Sequence, residues 1–193
     1  MKIFVSGGCK NGKSHYAQRL AQTLHLEQRT GSLYYIATMN PVDTEDNERI
    51  ARHRREREGW GFSTIEQPFD IAEIPDKCCG DDSLLLDSLT ALLANEMFLP
   101  DSSVNEKAAD KISAGLRHVL QNQKNIVIVS DYIYSDALLY DQFTEKYRKS
   151  LAEIDRTAAQ NCDAVLEISC TNVIVHKGKN LFEELRNRHE KIF

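Results

Sequence analysis

The chain has 193 residues, of which 41% are hydrophobic and 27% are charged, proportions that are ordinary for a soluble globular protein. This length favours one domain over residues 1–193, and the formal net charge of −5 argues against a general nucleic-acid-binding protein, whose charge is usually basic. The five cysteines show no C-x-x-C spacing and argue against a disulfide framework. No apolar stretch approaches the roughly 20 residues of a membrane span, and none resembles a signal peptide, so we expect a cytoplasmic protein.

The chain opens with a short apolar strand, predicted over residues 1–6, that leads into a glycine-rich turn and a helix. The helix is predicted over residues 13–28 because Ala17, Leu20 and Leu24 recur at helical spacing. The turn between them fits G-x-x-x-x-G-K-[ST], the phosphate-binding loop of nucleotide-binding proteins. This predicted nucleotide-binding loop consists of Gly7, Gly8, Cys9, Lys10, Asn11, Gly12, Lys13 and Ser14.

Each part of this loop has a chemical reason. Gly7 and Gly12 can adopt backbone angles that a Cβ atom would forbid, so the loop amides can turn inward around a phosphate. The helix that begins near Lys13 adds its positive end, roughly half an elementary charge. Lys13 can reach the β- and γ-phosphates, and the Ser14 hydroxyl can bind Mg²⁺. A chance glycine-rich turn is the alternative, and the flanking strand and helix argue against it.

A strand predicted over residues 32–38 is followed by an unusually charged helix, predicted over residues 43–59. Acidic residues occupy its first turn and arginines its later turns, an order that suits the helix dipole. Its apolar face consists essentially of Ile50 and Ala51, so burial stabilises it little. Such a helix is either a solvated surface helix or one whose five arginines, grouped around His53, face an anion. After a phosphate loop we favour the anion-binding interpretation.

An extended segment predicted over residues 62–66, then a helical turn and loop over 69–82, lead to a strong strand at 83–87. This strand is an apolar run that ends in Asp87, the Walker B pattern. A carboxylate at that position would lie at the C-terminal edge of the sheet and hold Mg²⁺, directly or through water. An aspartate at a strand end also commonly caps a helix. The phosphate loop upstream makes the metal-binding interpretation the stronger one.

The rest of the chain continues to alternate helices and strands. Helices are predicted over 89–98, 104–122, 141–161 and 181–192, and strands over 125–130, 164–169 and 173–175. The short link between the last two strands predicts an antiparallel hairpin at the sheet edge. The predicted fold is therefore α/β, a layered P-loop NTPase-type domain with a mostly parallel central sheet and an antiparallel edge hairpin. Its ligand is expected at the C-terminal ends of the strands.

Three segments of the chain resemble a known family, the bifunctional adenosylcobinamide kinase / adenosylcobinamide-phosphate guanylyltransferases of cobalamin biosynthesis. The first is the loop at residues 7–14. The second combines Tyr-Ile-Ala-Thr at 35–38, an Asp-x-Glu at 43–45 and Arg-Ile-Ala-Arg-His-Arg at 49–54, similar to the family's Y-I-A-T…D-x-E…R-I-x-x-H-R block. The third is Leu-Leu-Leu-Asp-Ser-Leu-Thr at 84–90, similar to the family's L-L-L-D-C-L-T. The second segment is the specific one, because many other proteins have a phosphate loop.

The resemblance implies a P-loop α/β domain that assembles as a homotrimer and uses ATP, GTP, Mg²⁺ and a corrinoid substrate. It implies phosphorylation of the aminopropanol hydroxyl of adenosylcobinamide, followed by transfer of GMP from GTP through a guanylylated histidine, here His53. An imidazole is largely neutral at pH 7 and therefore nucleophilic. Lys13 is implied as the second catalytic residue, and Ser14 and Asp87 as the metal ligands. Further nucleotide-binding positions implied by the resemblance are Ala37, Thr38, Met39, Arg54, Arg57, Glu66 and Asp87.

The second half of the chain departs from the family pattern. The family's V-[ST]-N-E-V-G is Val-Ser-Asp-Tyr-Ile-Tyr at residues 129–134, and its F-R-D-x-x-G-x-x-N-Q keeps only the aromatic character and the arginine at 147–156. These changes bear on the corrinoid-facing side. Two other functions stay open: a P-loop kinase of another small alcohol, with Arg52, Arg54 and Arg57 as a phosphate-clamping lid, or a non-catalytic nucleotide-binding regulator derived from the family.

Overall fold

The computed structural model describes residues 1–101 and 103–189, and the side chains of Glu45, Arg49 and Glu56 lie outside what it describes. Within this part of the chain the strands are β1 (Lys2–Gly7), β2 (Leu33–Ala37), β3 (Ser63–Glu66), β4 (Ser83–Asp87), β5 (Asn125–Asp131), β6 (Ala164–Ser169) and β7 (Asn172–Lys177). The helices are α1 (Lys13–Gln28), α2 (Thr44–Glu56), α3 (Ile74–Lys77), α4 (Leu89–Met97), α5 (Ala108–Asn122), α6 (Gln142–Asn161) and α7 (Lys179–Arg188). A 3₁₀ turn covers Ile71–Glu73.

One sheet contains these seven strands in the order β3-β2-β4-β5-β1-β6-β7. Neighbouring strands pair in parallel, except β6 and β7, which pair antiparallel. Parallel neighbours need long crossover connections, and the helices supply them. The predicted α/β fold, with a mostly parallel sheet and an antiparallel edge hairpin, is confirmed.

Helices cover both faces of the sheet because its central strands are apolar on both sides. Successive residues of a strand point to opposite faces. In β1, Val5 packs in the apolar cluster that includes α1, whereas Phe4 packs in the cluster that includes α4, α5 and α6. None of the described helices combines the length and apolar character that crossing a membrane requires.

The carboxyl ends of the parallel strands meet at one edge of the sheet. Across that edge Ala37 pairs in register with both Glu66 and Asp87, and Gly7 pairs with Asp131. The strand order places β5, which ends in Asp131, between the strand that precedes the phosphate loop and the strand that ends in Asp87. Residues that are far apart in the sequence therefore meet at this edge.

The helix predicted over residues 43–59 is shorter than expected. Asp43 caps α2, and its side chain accepts a hydrogen bond from the backbone N–H of Asp46 at 2.8 Å. The helix ends at Glu56, and Gly59 follows in a turn with a φ of +80°. Glycine adopts this left-handed conformation without steric strain, so the chain leaves the helix before the predicted end.

The helix predicted over residues 104–122 begins late, at Ala108. Asn105 donates its backbone N–H to the carbonyl of Met97 at 2.8 Å, a bond back to the preceding helix that keeps this segment out of α5. Such a tertiary contact leaves no periodic signal in the sequence. For the last predicted helix, residues 190–192 lie outside the described part of the chain.

Helix α6 packs a carboxyl group against the end of β5. Asp155 is 3% exposed, and the hydroxyl of Tyr134 donates to its Oδ2 at 3.1 Å. Burial raises the pKa of Asp155 from its ordinary 3.8 to about 7, although hydrogen bonding to Ser130 and Tyr134 opposes the shift. Between about pH 4 and pH 7 the folded protein therefore holds a proton that the unfolded chain has released. The contribution of Asp155 to the free energy of unfolding thus falls as the pH rises through that window.

Replacing Asp155 with asparagine is expected to stabilise the protein above neutral pH. The amide has no charge to bury and can still accept the hydrogen bond from Tyr134. We expect the free energy of unfolding of Asp155→Asn to exceed that of the wild type by about 1–3 kcal/mol at pH 8, with the difference shrinking toward pH 4. Urea unfolding followed by circular dichroism at both pH values measures this.

The control is Glu153→Gln, which removes an exposed carboxylate from the same helix. It should change the free energy of unfolding by less than about 0.5 kcal/mol at either pH. The prediction is contradicted if the wild-type protein has the higher free energy of unfolding at pH 8. The buried carboxylate of Asp155 would then be a net stabilising group.

Candidate active site

The phosphate loop joins β1 to α1 through two glycines in conformations that other residues rarely adopt. Gly7 has a φ of +154°, and Gly12, at the start of α1, has a φ of +88°. A Cβ atom on Gly7 would also collide with the carbonyl of Ile168. A Cβ atom on Gly8 would meet no atom of the described residues within 4 Å. The exposed residues of the loop are Gly8, Cys9, Lys10 and Gly12.

The side chain of Lys13 is held inside this loop, where 6% of the residue is exposed. Its Nζ donates to the carbonyl of Gly8 at 3.1 Å and forms an ion pair with the carboxylate of Asp131. Asn11 fixes the loop, because its Nδ2 donates to the carbonyl of Ile168 and its Oδ1 accepts from the backbone of Lys13 at 3.2 Å. The ammonium therefore lies at the carboxyl edge of the sheet, between β1 and β5.

Asp87, at the end of β4, is surrounded by hydrogen-bond donors and positive charge. Tyr35 Oη donates to Asp87 Oδ2 at 3.0 Å. Burial raises the pKa of this carboxyl, and the Tyr35 hydrogen bond and the charge of His53 oppose the shift. The hydroxyl of Ser14 and the charge of Lys13 act in the same opposing direction. Four residues that the sequence predicted as catalytic or metal-binding therefore lie together.

The oxygen atoms of Ser14 and Asp87 fit a magnesium ion. Mg²⁺ prefers oxygen ligands and is usually bound by one or two carboxylates together with substrate phosphates and water. In the described part of the chain, no group of three or more His, Cys, Asp or Glu side chains is placed to hold a metal. An ion bound by Ser14 and Asp87 would accordingly take its remaining ligands from phosphate and water.

The inward side of α2 carries Ile50 and His53, and Arg57 follows on the same side just beyond the helix end. Spacings of three and four residues place side chains on one helix face. Ile50 and His53 are partly buried and Arg57 is 7% exposed, whereas Arg52 and Arg55 are exposed. The predicted cluster of five arginines is therefore divided. Arg57 turns toward the sheet, whereas Arg52, Arg54 and Arg55 are exposed to solvent.

Arg57 is fixed by two uncharged neighbours. Its guanidinium carbon lies 3.7 Å from the centroid of the Tyr35 ring, and its NH2 group donates to Thr64 Oγ1 at 3.1 Å. Cation–π contacts of this kind stabilise by about 0.5–2 kcal/mol. Because the hydroxyl of Tyr35 binds Asp87, this one side chain links Arg57 to the predicted metal ligand.

Arg54 and Glu66, both predicted to bind nucleotide, pair with each other at 2.7 Å. Their side chains are 58% and 51% exposed, so the pair is solvated and contributes little to stability. A cavity of about 520 Å³, a size typical of small-molecule sites, lies beside Arg54. The residues that line it are Arg54, Arg57, Glu58, Gly59, Gly61, Phe62 and Thr64. Its two guanidinium groups suit an anionic ligand.

Three residues at and just after the end of β2, Ala37, Thr38 and Met39, were predicted to bind nucleotide, and they lie in different environments. Ala37 ends the strand in register with Asp87, and Met39 is partly buried. Thr38 is fully buried, and its hydroxyl donates to the carbonyl of Ser88 at 2.8 Å and accepts from the backbone N–H of Ser88 at 2.7 Å. The Thr38 side chain thus joins β2 to the segment after β4, and the role of these residues in nucleotide binding stays a prediction.

The sequence did not identify Tyr35 and Asp131 as site residues. Asp131 ends an apolar strand after one serine, a signal similar to the one that identified Asp87, and could have been found that way. Tyr35 lies within the matched segment 35–38, but an aromatic residue in a strand is normally assigned to packing. Its two contacts with Asp87 and Arg57 depend on the tertiary fold.

Comparison with known proteins identifies the family. The sequence model of the family described as "Cobinamide kinase / cobinamide phosphate guanyltransferase" matches residues 3–174. This chain belongs to that family. All three segments on which the resemblance was based lie within residues 3–174. The resemblance to the cobinamide kinase family is therefore confirmed.

Relatives of the cobinamide kinase family match at modest identity. The bifunctional adenosylcobalamin biosynthesis protein CobP of Pseudomonas aeruginosa is 26% identical over 166 residues, which cover 86% of this chain and 91% of CobP. The bifunctional adenosylcobalamin biosynthesis protein CobU of Salmonella typhimurium is 30% identical over 99 residues, or 51% of each chain. Among solved structures, the flagellar accessory protein FlaH of Methanocaldococcus jannaschii matches with 15% identity and a TM-score of 0.46, covering 91% of this chain and 77% of FlaH. A score of this size carries no argument about function.

The contrast between two neighbouring glycines tests the loop geometry. Gly7→Ala forces a Cβ atom against the Ile168 carbonyl and an unfavourable φ, so we expect it to lower the free energy of unfolding by about 1–3 kcal/mol. Gly8→Ala is the matched control, and its effect should stay within about 1 kcal/mol because the added methyl group meets open space. Urea unfolding measures both variants, and equal effects would contradict the described loop.

Proposed function

We propose that this chain phosphorylates the hydroxyl of the aminopropanol arm of adenosylcobinamide and then transfers GMP from GTP to the resulting phosphate through His53. The family supports a place in cobalamin biosynthesis. The observation that supports the histidine assignment is the position of His53 on the inward side of α2, where it interacts electrostatically with the carboxyl group of Asp87. A histidine placed there lies at the same sheet edge as the phosphate loop.

In the kinase step, the loop amides and Lys13 hold the β- and γ-phosphates of the triphosphate. Ser14 and Asp87 would hold Mg²⁺, whose charge assists phosphoryl transfer when it is bound. The substrate hydroxyl oxygen bonds to the γ-phosphorus, and the bond from that phosphorus to the bridging oxygen breaks. The nucleoside diphosphate leaves with the electron pair.

In the guanylyl step, an imidazole nitrogen of His53 bonds to the α-phosphorus of GTP as pyrophosphate leaves. The phosphate of adenosylcobinamide phosphate then attacks the same phosphorus and releases His53. Each transfer concentrates negative charge on the phosphate oxygens, which fixed cations stabilise. Arg57 is suited to this role because the two groups that its guanidinium contacts, the Tyr35 ring and the Thr64 hydroxyl, are uncharged. Arg54 can join it when an anion in the cavity that Arg54 and Arg57 line replaces Glu66 as its partner.

Labelling with α-labelled GTP tests the role of His53. We expect the wild type to carry label after incubation with Mg²⁺ and denaturation, through a bond that is acid-labile and alkali-stable, as a phosphoramidate is. His53→Ala should lose the label by at least about 100-fold, because no other group can replace a covalent nucleophile. His118→Ala, which removes an exposed histidine from α5, is the matched control and should label fully.

Absence of label on the wild type, with GTP binding demonstrated separately, would refute the guanylyl-histidine and favour a plain P-loop kinase or a nucleotide-binding regulator. Equal labelling of His53→Ala and the wild type would place the nucleophile elsewhere. Three expectations from the sequence stay predictions: the single domain over residues 1–193, the homotrimer and the cytoplasmic location.

A further inference from the structure

The single tryptophan of the chain, Trp60, lies outside its core. Among the described residues, the core consists of two apolar clusters, and Trp60 belongs to neither of them. It is partly buried in the turn of residues 57–61, which connects α2 to β3. Tryptophan offers a large flat ring for contact with a partner or ligand. Neither the packing of the core nor the steps proposed above explain its position.

The backbone of Trp60 is fixed on both sides. Its N–H donates to the carbonyl of Arg57 at 3.2 Å, and its carbonyl accepts from Gln22 Nε2, in α1, at 3.1 Å. A Cβ atom on either of the flanking glycines, Gly59 and Gly61, would meet no atom of the described residues within 4 Å. Both glycines line the cavity of about 520 Å³. Trp60 is therefore held in place beside open space.

The indole ring of Trp60 lies at the start of α1. Its centroid is 5.4 Å from that of the His15 ring, with 69° between the two planes, which is an edge-to-face pair. His15 is exposed and directly follows Ser14 of the phosphate loop, in the first turn of α1. An edge-to-face contact with His15 covers at most one face of the indole, so the other face can take a flat ligand.

A triphosphate in the loop carries its nucleoside toward this turn. The loop amides hold the α- and β-phosphates, and the nucleoside is attached to the α-phosphate. For His53 to attack the α-phosphorus, as proposed above, that phosphate must lie toward α2. The chain that leaves α2 lies on the α1 side of the sheet, because Arg57 stacks on Tyr35, which packs in the cluster that includes α1. The ribose and base therefore extend along the first turn of α1 toward Trp60.

Another exposed ring near the loop lies on the opposite face of the sheet. The backbone N–H of Tyr132 donates to the carbonyl of Gly7 at 2.9 Å, which places this residue beside the loop. Its ring centroid is 4.7 Å from that of Tyr134, which packs against the cluster that includes α4, α5 and α6. Tyr132 is therefore on the face away from α1, and a base bound toward α2 does not reach it.

We infer that Trp60 is the base-stacking residue of the nucleotide site, an inference that rests on the proposed function. The purine base lies against the indole face that His15 leaves open, on the same side of the sheet as Arg57. Stacking on an aromatic ring tolerates different bases, because every base has a π-face. One tryptophan therefore serves GTP in the guanylyl step and ATP in the kinase step.

The fluorescence of Trp60 tests this directly, because no other tryptophan contributes to the signal. The measurement uses His53→Ala, so that covalent transfer does not follow binding. Saturating GTP or ATP should quench the indole emission, since a stacked purine quenches indole. Inorganic tripolyphosphate, which has no base, should leave the emission unchanged although it competes with GTP for the loop.

Calorimetric titration of substituted proteins on the same His53→Ala background gives the affinities. Trp60→Ala should raise the Kd for GTP about 5- to 150-fold, the range by which base–aromatic stacking strengthens binding. The Kd for tripolyphosphate should stay within about twofold. Trp60→Phe keeps a stacking ring and should raise the Kd for GTP less than Trp60→Ala does. Tyr132→Ala, the matched control, should keep the Kd for GTP within about twofold.

The inference is overturned if GTP and tripolyphosphate have the same effect on the emission, a measurement that needs no change at Trp60. It is also overturned if Trp60→Ala weakens both ligands equally, since Trp60 then only supports the fold, or if Tyr132→Ala causes the larger loss of GTP affinity. If neither ligand binds, nucleotide binding and with it the proposed function fail. If both bind but the base makes no difference, only the assignment of Trp60 fails.

Discussion

Parallel pairing of β4, β5 and β1 is the constraint on which the site depends. It brings the loop after Gly7 and the carboxylates of Asp87 and Asp131 to one edge of the sheet. The apolar residues of these strands fix the register, because a shift of one residue would turn every buried side chain to the other face. The same burial that stabilises the core therefore sets the distances among the polar groups at the edge.

The fold was predictable where the signals were local. Helix α1 and strand β4 span the predicted residues because helical periodicity and an unbroken apolar run each identify an element without reference to the rest of the chain. The start of α5 and the end of α2 were not predictable to the residue. The first depends on a hydrogen bond from Asn105 to Met97, and the second on a turn through Gly59.

The site was predictable in its chemistry more than in its arrangement. The spacing of the loop and an aspartate after an apolar strand identified Lys13, Ser14 and Asp87, because that chemistry demands those residue types in that order. Which arginine in or just after α2 turns inward depends on tertiary contacts, here those of Arg57 with Tyr35 in β2 and Thr64 in β3. The stacking of Arg57 on Tyr35 and the ion pair of Lys13 therefore required the structure.

The thin apolar face of α2 has a consequence for dynamics. None of the described side chains of this helix is buried, whereas α1 buries Leu20 and Leu24 in the core. Segments with little buried apolar surface open locally at a lower free energy than the whole protein unfolds. We therefore expect the amide hydrogens of α2 to exchange with solvent before those of α1, and an anion bound between α2 and the sheet would slow that exchange. His53 therefore lies on a part of the fold that opens more readily than the core.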